Sequence, residues 1–274
     1  MVLGRFDPET FTAPAGAAAA APVHVRDLGN RTRRTALLLH GCLGDGEDFR
    51  ELSVRLAATR RVLVPDLPGH GRSPPLRAYS FDGVRQALEK MVVGRGAPSL
   101  DIVGYGYGSY HALLLALLGS VKVGRLHLIG PVAAGLDEGQ RALMASHAES
   151  VRSGRSDYAG TFAARCFAES WAAAHGDAVA AVRERARRVP AEQLSRELDE
   201  FARLPDLRRR LPAIACQTVV RVGAEDGMTP PAAGEAIARA IPGARLELVP
   251  GAGHALMLED FPGTLASVEQ LLAL

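Results

Sequence analysis

Seven short apolar runs, most of them rich in valine, isoleucine or leucine, are the feature of this chain that most restricts how it can fold. Turns that contain glycine or proline, and longer stretches with helical patterns, separate the runs. This alternation is typical of a mostly parallel sheet with helices on both faces, so the sequence predicts an α/β fold. The runs occupy residues 23–28, 35–39, 62–65, 100–103, 125–129, 218–222 and 245–249.

The segment between the fifth and sixth runs has a different character. Residues 132–211 contain no convincing strand pattern, and their alanine, arginine and glutamate content favours several amphipathic helices. We therefore predict a helical cap at 132–211, inserted into an α/β core formed by residues 22–131 and 212–274. Residues 1–21, which include an alanine run, are predicted to be a flexible leader. The working loops are expected at the carboxyl ends of the strands, beneath the cap.

The charge and cysteine content argues against several classes of function. The 274 residues include 32 basic and 30 acidic side chains with no basic cluster, so nucleic acid is not an expected partner. The longest apolar stretch, at residues 112–118, is far shorter than the roughly 20 residues that span a bilayer, so no membrane partner is expected. Cys42, Cys166 and Cys216 form no C-x-x-C pair, which favours a reducing, cytoplasmic location without disulfides.

No cofactor or metal ion is expected either. The chain lacks a P-loop and a zinc-type cysteine pair, and the glycines at residues 104–108 lack the third-glycine spacing of a dinucleotide fingerprint. The expected partner is a small-molecule substrate, and the oligomeric state is not readable from the sequence.

Two glycine-rich loops follow the second and third runs. Residues 40–49 read HGCLGDGEDF, and residues 66–73 read DLPGHGRS. Either loop alone is compatible with a generic turn, but the two in this order are much more specific. Both resemble loops of the α/β-hydrolase superfamily, in which the first loop supplies a backbone N–H to an oxyanion hole.

The turn after the fourth run carries a third motif. Residues 103–109 read VGYGYGS and precede a helical pattern. In the α/β-hydrolase superfamily this strand-to-helix turn is the nucleophile elbow, Gly-X-Ser-X-Gly. When the flanking glycines are aligned, Gly106 occupies the serine position, so the nucleophile is missing. A frame shifted to Ser109 needs glycines where the sequence has Tyr107 and His111, so Ser109 is interpreted as a packing residue.

Two later loops match the rest of the superfamily's catalytic triad. Residues 222–230 read VGAEDGMTP and resemble the acid loop, with Asp226 in the aspartate position. Residues 250–254 read PGAGH and resemble the histidine loop, with His254 at its end. The order of nucleophile position, aspartate and histidine is the order that this fold uses. The resemblance implies that Asp226 holds His254 in one tautomer and stabilises its charged form.

The resemblance extends over nearly the whole chain and has further implications. It implies an α/β-hydrolase fold with a sheet of the eight-stranded type, and an oxyanion hole built from backbone N–H groups of the loop with Cys42 and Leu43 and of Tyr107. The loops are closest in wording to the menaquinone-pathway succinyl-hydroxycyclohexadiene-carboxylate synthase type. Enzymes of that type have serine at the position of Gly106, so neither their substrate nor an esterase activity carries over to this chain.

A triad without its serine leaves several hypotheses about function. Loss of the nucleophile from a serine hydrolase costs roughly six orders of magnitude in turnover. A dyad of His254 and Asp226 beside an oxyanion hole suffices for general-base chemistry, which predicts a lyase, cyclase or isomerase acting on a small carbonyl-containing metabolite. The alternatives are hydrolysis by water that His254 activates, attack by Cys42, and a catalytically inert protein that binds a small molecule or a protein partner. An engineered replacement of serine by Gly106 is a further alternative.

Overall fold

The described part of the chain is an α/β structure. The computed structural model describes residues 23–97 and 99–273, so the predicted leader at residues 1–21 lies outside the described residues. All seven apolar runs are strands, which confirms the predicted fold class. The strands are β1 (Val25–Leu28), β2 (Thr35–Leu39), β3 (Arg61–Pro65), β4 (Ser99–Tyr105), β5 (Lys122–Ile129), β6 (Gln217–Gly223) and β7 (Arg245–Val249).

The strands form one mostly parallel sheet. Its order is β1-β3-β2-β4-β5-β6-β7, and β1 pairs with β3 in the antiparallel sense while the other pairs are parallel. The sheet in the described residues has seven strands, one fewer than the eight-stranded type implied by the resemblance, because residues 23–273 contain seven apolar runs. The carboxyl ends of parallel strands lie at the same edge of a sheet. The loops that the sequence predicts to form the site follow these strand ends.

Different helices cover the two faces of the sheet. Side chains alternate along β2, so Leu37 and Leu39 pack into one core cluster while Ala36 and Leu38 pack into the other. Each large apolar side chain that is buried contributes about 1.5–3 kcal/mol, so the core fixes the strand ends that carry the loops. The first cluster includes residues of α2 (Phe81–Gly94), α3 (Tyr107–Leu118) and α9 (Pro231–Ala240), and the second includes residues of α1 (Arg50–Ala57), α10 (Leu256–Glu259) and α11 (Phe261–Ala273).

Five helices lie between β5 and β6. Residues 132–211 are all described and contain no strand, in agreement with their sequence pattern. Their assignment as a separate cap stays a prediction. Among the residues that the structure describes, no helix has the length and apolar character needed to cross a bilayer. The five helices are α4 (Glu138–Arg152), α5 (Tyr158–Arg165), α6 (Glu169–Ala174), α7 (Gly176–Ala186) and α8 (Ala191–Ala202).

Local sequence sets where these helices begin and what they contact. α4 begins with a capping box, in which the Asp137 carboxylate accepts the N–H of Gln140 and the Gln140 side chain accepts the N–H of Asp137. α8 lies over the loops after β2 and β3, where Gln193 Nε2 donates to the carbonyl of Pro68 at 3.3 Å. The helical segment therefore contacts the edge of the sheet at which the conspicuous loops lie.

Candidate active site

The turn between β4 and α3 is sharp and strained. Gly106 has φ +51° and ψ −113°, a backbone conformation that L side chains rarely adopt. Its N–H donates to the carbonyl of Ile129, 2.8 Å away, which fixes the turn against β5. The flanking Gly104 leaves no room for a side chain, since a Cβ there would lie 2.6 Å from the Cα of Ser109. This is the tight strand-to-helix connection that the motif requires.

The hydroxyl of Ser109 is held by the backbone. The residue is fully buried, and Oγ donates to the carbonyl of Gly104 at 2.7 Å and lies 3.1 Å from the carbonyl oxygen of Ile129. This arrangement agrees with the interpretation of Ser109 as a packing residue. It leaves Ser109 unable to replace the missing nucleophile.

His254 and Asp226 come together at the carboxyl ends of β7 and β6. His254 Nδ1 lies 2.8 Å from Asp226 Oδ2, and both side chains are buried. The N–H groups of Met228 and Thr229 donate to Asp226 Oδ1 at 2.8 and 2.7 Å, and the Thr229 hydroxyl donates to Oδ2 at 2.8 Å. Burial by itself raises the pKa of Asp226, but the hydrogen bonds from His254 and Thr229 and the charge of His254 outweigh it and hold the pKa below its usual value. The carboxylate is an anion that orients the His254 ring.

The second ring nitrogen of His254 faces the place where the elbow lacks a side chain. A Cβ built on Gly106 would lie 2.9 Å from His254 Nε2. The ring of Tyr105 packs beside His254, with ring centroids 5.2 Å apart. When neutral His254 donates from Nδ1 to Asp226, its Nε2 carries a lone pair that points at the space beside Gly106.

His40 joins the two glycine-rich loops. Its Nδ1 donates to the carbonyl of Gly41 at 2.8 Å, and its Nε2 accepts the N–H of Leu67 at 2.8 Å. Burial, assisted by the nearby His70, lowers the pKa of His40 well below its usual value, so the ring is neutral and can accept at Nε2. The loop after β2 is thereby fixed against the loop after β3.

Cys42 and Leu43 lie beside the elbow. The Cα of Gly41 is 4.0 Å from the Cβ position on Gly106. Leu43 has φ +60°, an uncommon conformation for a residue with a side chain and one that is found at functional loops. Tyr107 follows Gly106 directly, as the first residue of α3. The loop and the helix start are thus adjacent, while the role of their N–H groups as donors to an oxyanion stays a prediction.

The thiol of Cys42 contacts the helical segment. Its Sγ lies 3.5 Å from Oε2 of Glu197, a fully buried residue of α8. Burial, together with the Glu197 carboxylate, raises the pKa of the Cys42 thiol well above its usual value. A protonated thiol is a poor nucleophile, so the geometry disfavours the hypothesis that Cys42 replaces the serine.

The ring of Tyr107 is a packing element. Its centroid lies 4.5 Å from that of His111 and 5.4 Å from that of Phe201, and its hydroxyl contacts the hydroxyl of Tyr79. Burial raises the pKa of Tyr107 well above its usual value, so the phenol stays protonated. The ring of Tyr107 therefore offers no ionised group at the elbow, and its hydroxyl is engaged with that of Tyr79.

A cavity of 390 Å³ lies between the loop after β2 and the helical segment. Cys42, Leu43 and Tyr105 line it on the side of the sheet. On the opposite side Arg185 of α7 contacts Asp48, whose side chain is buried. Burial raises the pKa of Asp48 to about 6, although Arg185 opposes the shift. Tyr105, directly before Gly106, and Ala255, directly after His254, line the cavity, whereas Gly106 and His254 do not. A cavity of this size accommodates a small metabolite close to the elbow.

Comparison with known proteins identifies the family. The family model described as alpha/beta hydrolase fold matches residues 36–261, which is most of the chain. The chain belongs to the alpha/beta hydrolase fold family. This finding confirms the resemblance stated from the loops.

Relatives of this alpha/beta hydrolase include an esterase and a synthase. Over 227 residues the chain is 30% identical to the pimeloyl-acyl-carrier-protein methyl ester esterase of Neisseria meningitidis, a match that covers 81% of this chain and 86% of that enzyme. Over 83 residues it is 36% identical to the 2-succinyl-6-hydroxy-2,4-cyclohexadiene-1-carboxylate synthase of Escherichia coli O7:K1, which covers 30% of this chain and 32% of that enzyme. A thermophilic esterase from Thermogutta terrifontis superposes with a TM-score of 0.87 and 26% identity, over 96% of both chains.

Three residues of this alpha/beta hydrolase site were not singled out from the sequence. Thr229 lies three residues after Asp226, a spacing at which an aspartate accepts hydrogen bonds from the following turn, so a signal for it existed. Arg185 and Glu197 gave no such signal. Only the packing of α7 and α8 against the loops brings their charged groups to Asp48 and Cys42.

Proposed function

We propose that this member of the alpha/beta hydrolase fold family is a cofactor-independent, non-hydrolytic enzyme of the lyase, cyclase or isomerase type. In it, His254 and Asp226 act as a general-base dyad. Its substrate is a small carbonyl-containing metabolite. The observation that carries the proposal is the position of His254 Nε2, which faces the elbow where Gly106 offers no hydroxyl. In a serine hydrolase this nitrogen takes the proton of the nucleophile. In this chain it takes a proton from the substrate itself.

The proposed reaction begins with proton transfer to His254. Nε2 removes a proton from the carbon next to the substrate carbonyl, and the electron pair of the broken C–H bond forms an enolate. Backbone N–H groups of Cys42 or Leu43 and of Tyr107 donate to the enolate oxygen. Asp226 stabilises the imidazolium. In isomerisation the imidazolium then returns the proton to another atom of the substrate. In elimination the enolate collapses to the carbonyl, a C=C bond forms as the bond from the next carbon to the leaving group breaks, and the imidazolium gives its proton to that group.

The relatives and the cavity favour a small substrate that contains a carbonyl group. One relative is a methyl ester esterase and another is a carboxylate synthase, and esters and carboxylic acids share that group. The cavity combines apolar side chains such as Phe162 and Val182 with the Arg185 and Asp48 pair. This lining suits a molecule with both apolar and polar parts.

Hydrolysis by activated water is the second candidate function. The match to the methyl ester esterase over 81% of this chain favours it. In this version a water molecule occupies the space beside Gly106, His254 Nε2 removes its proton, and its oxygen attacks an ester carbonyl. The bond from that carbon to the alkoxy oxygen then breaks, and the imidazolium gives its proton to the departing alcohol. The remaining alternative, a binding protein without activity, predicts that replacement of His254 changes no reaction rate.

Turnover assays of four proteins test the proposal. The wild type, His254→Ala and Gly106→Ser are assayed against activated esters and against a panel of β-keto and β-hydroxy acids. His175→Ala serves as the matched control, because His175 is exposed, lies between α6 and α7, and stacks on the ring of Trp171. The proposal predicts that the wild type converts a keto or hydroxy acid, that His254→Ala abolishes this activity and that the control retains it.

The same assays distinguish the proposed reaction from hydrolysis by activated water and from a binding function without activity. Ester cleavage by the wild type that is lost in His254→Ala, without conversion of any acid, supports activated water and contradicts the proposal. Equal inertness of wild type and His254→Ala on every compound contradicts both enzymatic versions for the compounds used. Binding of a panel compound by that inert protein then favours the binding function.

A further inference from the structure

A second cavity lies at the opposite end of the sheet from the elbow. Its volume is 560 Å³, and it is bordered by the residues that precede β2 and β3 and by the beginning of β5. The elbow follows the end of β4, a strand of seven residues that spans roughly 20 Å. A ligand in this second cavity therefore does not contact His254.

Arginines dominate the lining of this cavity. Arg33 and Arg34 lie at its exposed rim, whereas Arg60 and Arg125 are buried in its wall. Apolar side chains complete the wall on one side, including Leu56. We call the cavity that these residues line the arginine cavity.

Asp101 supplies the internal counter-charge of the arginine cavity. It is fully buried in β4, and its carboxylate contacts Arg34 at 2.8 Å, Arg60 at 3.1 Å and Arg125 at 3.4 Å. Asp101 does not line the cavity itself, whereas the acidic side chain of Glu269 does. Among the described residues at this site, four guanidinium groups and the carboxylates of Asp101 and Glu269 leave a formal excess of two positive charges.

Two of the four guanidinium groups, those of Arg60 and Arg125, are buried, where solvent screens their charge least. Burial lowers the pKa of Arg60, and the nearby Arg125 and Arg34 lower it further, whereas Asp101 opposes them. Within the part of the chain that the structure describes, the buried Nε atoms of Arg60 and Arg125 have no hydrogen-bond partner. Because these Nε atoms are buried, a ligand in the cavity does not contact them, but the charges of Arg60 and Arg125 behind the rim favour an anion there.

We propose that the arginine cavity binds a phosphomonoester, with the phosphate on Arg33 and Arg34 at the rim. A phosphate dianion matches the excess of two positive charges, and guanidinium groups bind its oxygens in pairs. The cavity is much larger than an inorganic phosphate ion, and its apolar wall at Leu56 accommodates an organic group. The ligand is therefore a small phosphorylated molecule, and the site is separate from the elbow.

Titration of the full-length protein tests this site without any assay of activity. The probes are phenyl phosphate, inorganic phosphate and phenylacetate, and binding is followed by calorimetry at low ionic strength. The site predicts saturable binding in the order phenyl phosphate, inorganic phosphate, phenylacetate, with one phenyl phosphate per chain. Phenyl phosphate should also raise the midpoint of thermal unfolding, because it binds the folded state.

Exposed arginines provide the variants and the control. The double variant Arg33→Gln/Arg34→Gln removes two charged donors from the rim, and we expect its affinity for phenyl phosphate to fall about 100-fold, because charge-assisted hydrogen bonds to the phosphate are lost. Arg50→Gln is the matched control: its side chain is 80% exposed and it lies at the other end of α1, outside the cavity. Its affinity should change less than about twofold.

Three results overturn the proposal. One is the absence of saturable phenyl phosphate binding by the wild type. Another is equal loss of affinity in the double variant and in Arg50→Gln, which indicates general attraction of anions. The third is equal or tighter binding of phenylacetate, which assigns the site to carboxylates. If the double variant loses affinity for phenyl phosphate but keeps whatever turnover the wild type shows, the arginine cavity acts independently of the chemistry at His254.

Discussion

His254 Nε2 lies 2.9 Å from the point where a Cβ on Gly106 would stand. Real Cβ atoms do not approach a ring nitrogen this closely, so the ring occupies part of the space that a serine side chain needs. The absence of a side chain at position 106 therefore allows the His254 ring to occupy its observed position. A serine at this position requires the His254 ring to move.

This contact predicts that Gly106→Ala destabilises the fold by two separate effects. The positive φ of Gly106 strains any L side chain, at a cost of about 1–3 kcal/mol, and the new methyl group also displaces His254. Gly243→Ala is the control, because Gly243 has φ +72° but open space around its Cβ position. Urea unfolding should show a larger loss of stability for Gly106→Ala than for Gly243→Ala. Equal losses argue against close contact with His254.

Asp226→Asn should abolish most of the turnover without unfolding the protein. Asparagine presents an N–H or a carbonyl to His254 Nδ1 but no charge, so the imidazolium is no longer stabilised and the tautomer is no longer fixed. An effect of about four orders of magnitude on turnover is expected for such a change. Thr229→Val, which removes the hydroxyl donor to Asp226, should cost about tenfold. Turnover of Asp226→Asn within a factor of ten of wild type contradicts a dyad.

Cys42→Ser should retain turnover. The thiol lies against Glu197 and its pKa is raised by burial, so it takes no part in bond formation in this account. Steady-state rates within about threefold of wild type are expected, because the backbone N–H of residue 42 is unchanged. Complete loss of turnover, together with full retention of the folded structure by circular dichroism, indicates a covalent role for the thiol.

Asp48 predicts a pH dependence of stability in the acidic range. Its pKa is raised from 3.8 to about 6 by burial, so between pH 4 and 6 the unfolded chain has released this proton while the folded chain still binds it. The free energy of unfolding therefore falls as the pH rises through this window, by about 3 kcal/mol at most. Asp48→Asn removes this dependence.

The comparison of unfolding curves at pH 4 and pH 6 measures the effect. The difference between the two pH values should be smaller in Asp48→Asn than in wild type. Asp177→Asn is the control, since Asp177 is exposed at the start of α7 and should leave the difference unchanged. Identical pH dependence in all three proteins contradicts a raised pKa for Asp48.

The fold and the order of the loops could be predicted because their signals are local. Each of the seven strands coincides with a short apolar run, and the turn at Gly106 follows from glycines that close packing requires. The strand count differed from the eight-stranded type because that number came from the resemblance and not from the runs. The cytoplasmic location and the separate cap stay predictions.

Long-range packing explains what the sequence did not predict. The contacts of Arg185 with Asp48 and of Glu197 with Cys42 join helices of the segment 138–202 to a loop far earlier in the chain. Charged residues are frequent on the solvated faces of such helices, so sequence alone does not separate a cavity-lining arginine from an exposed one. The same reasoning applies to the arginine cavity, which residues from four separate segments line.

Exchange of substrate hydrogen with solvent deuterium tests the central claim most directly. The wild type, His254→Gln and His175→Ala are incubated in D2O with the β-keto and β-hydroxy acids of the panel, and loss of the proton next to the carbonyl is followed by NMR. The account predicts exchange in wild type and His175→Ala that is lost in His254→Gln, because Nε2 is the base. Exchange that persists in His254→Gln at the wild-type rate contradicts the account, since another group would then remove the proton.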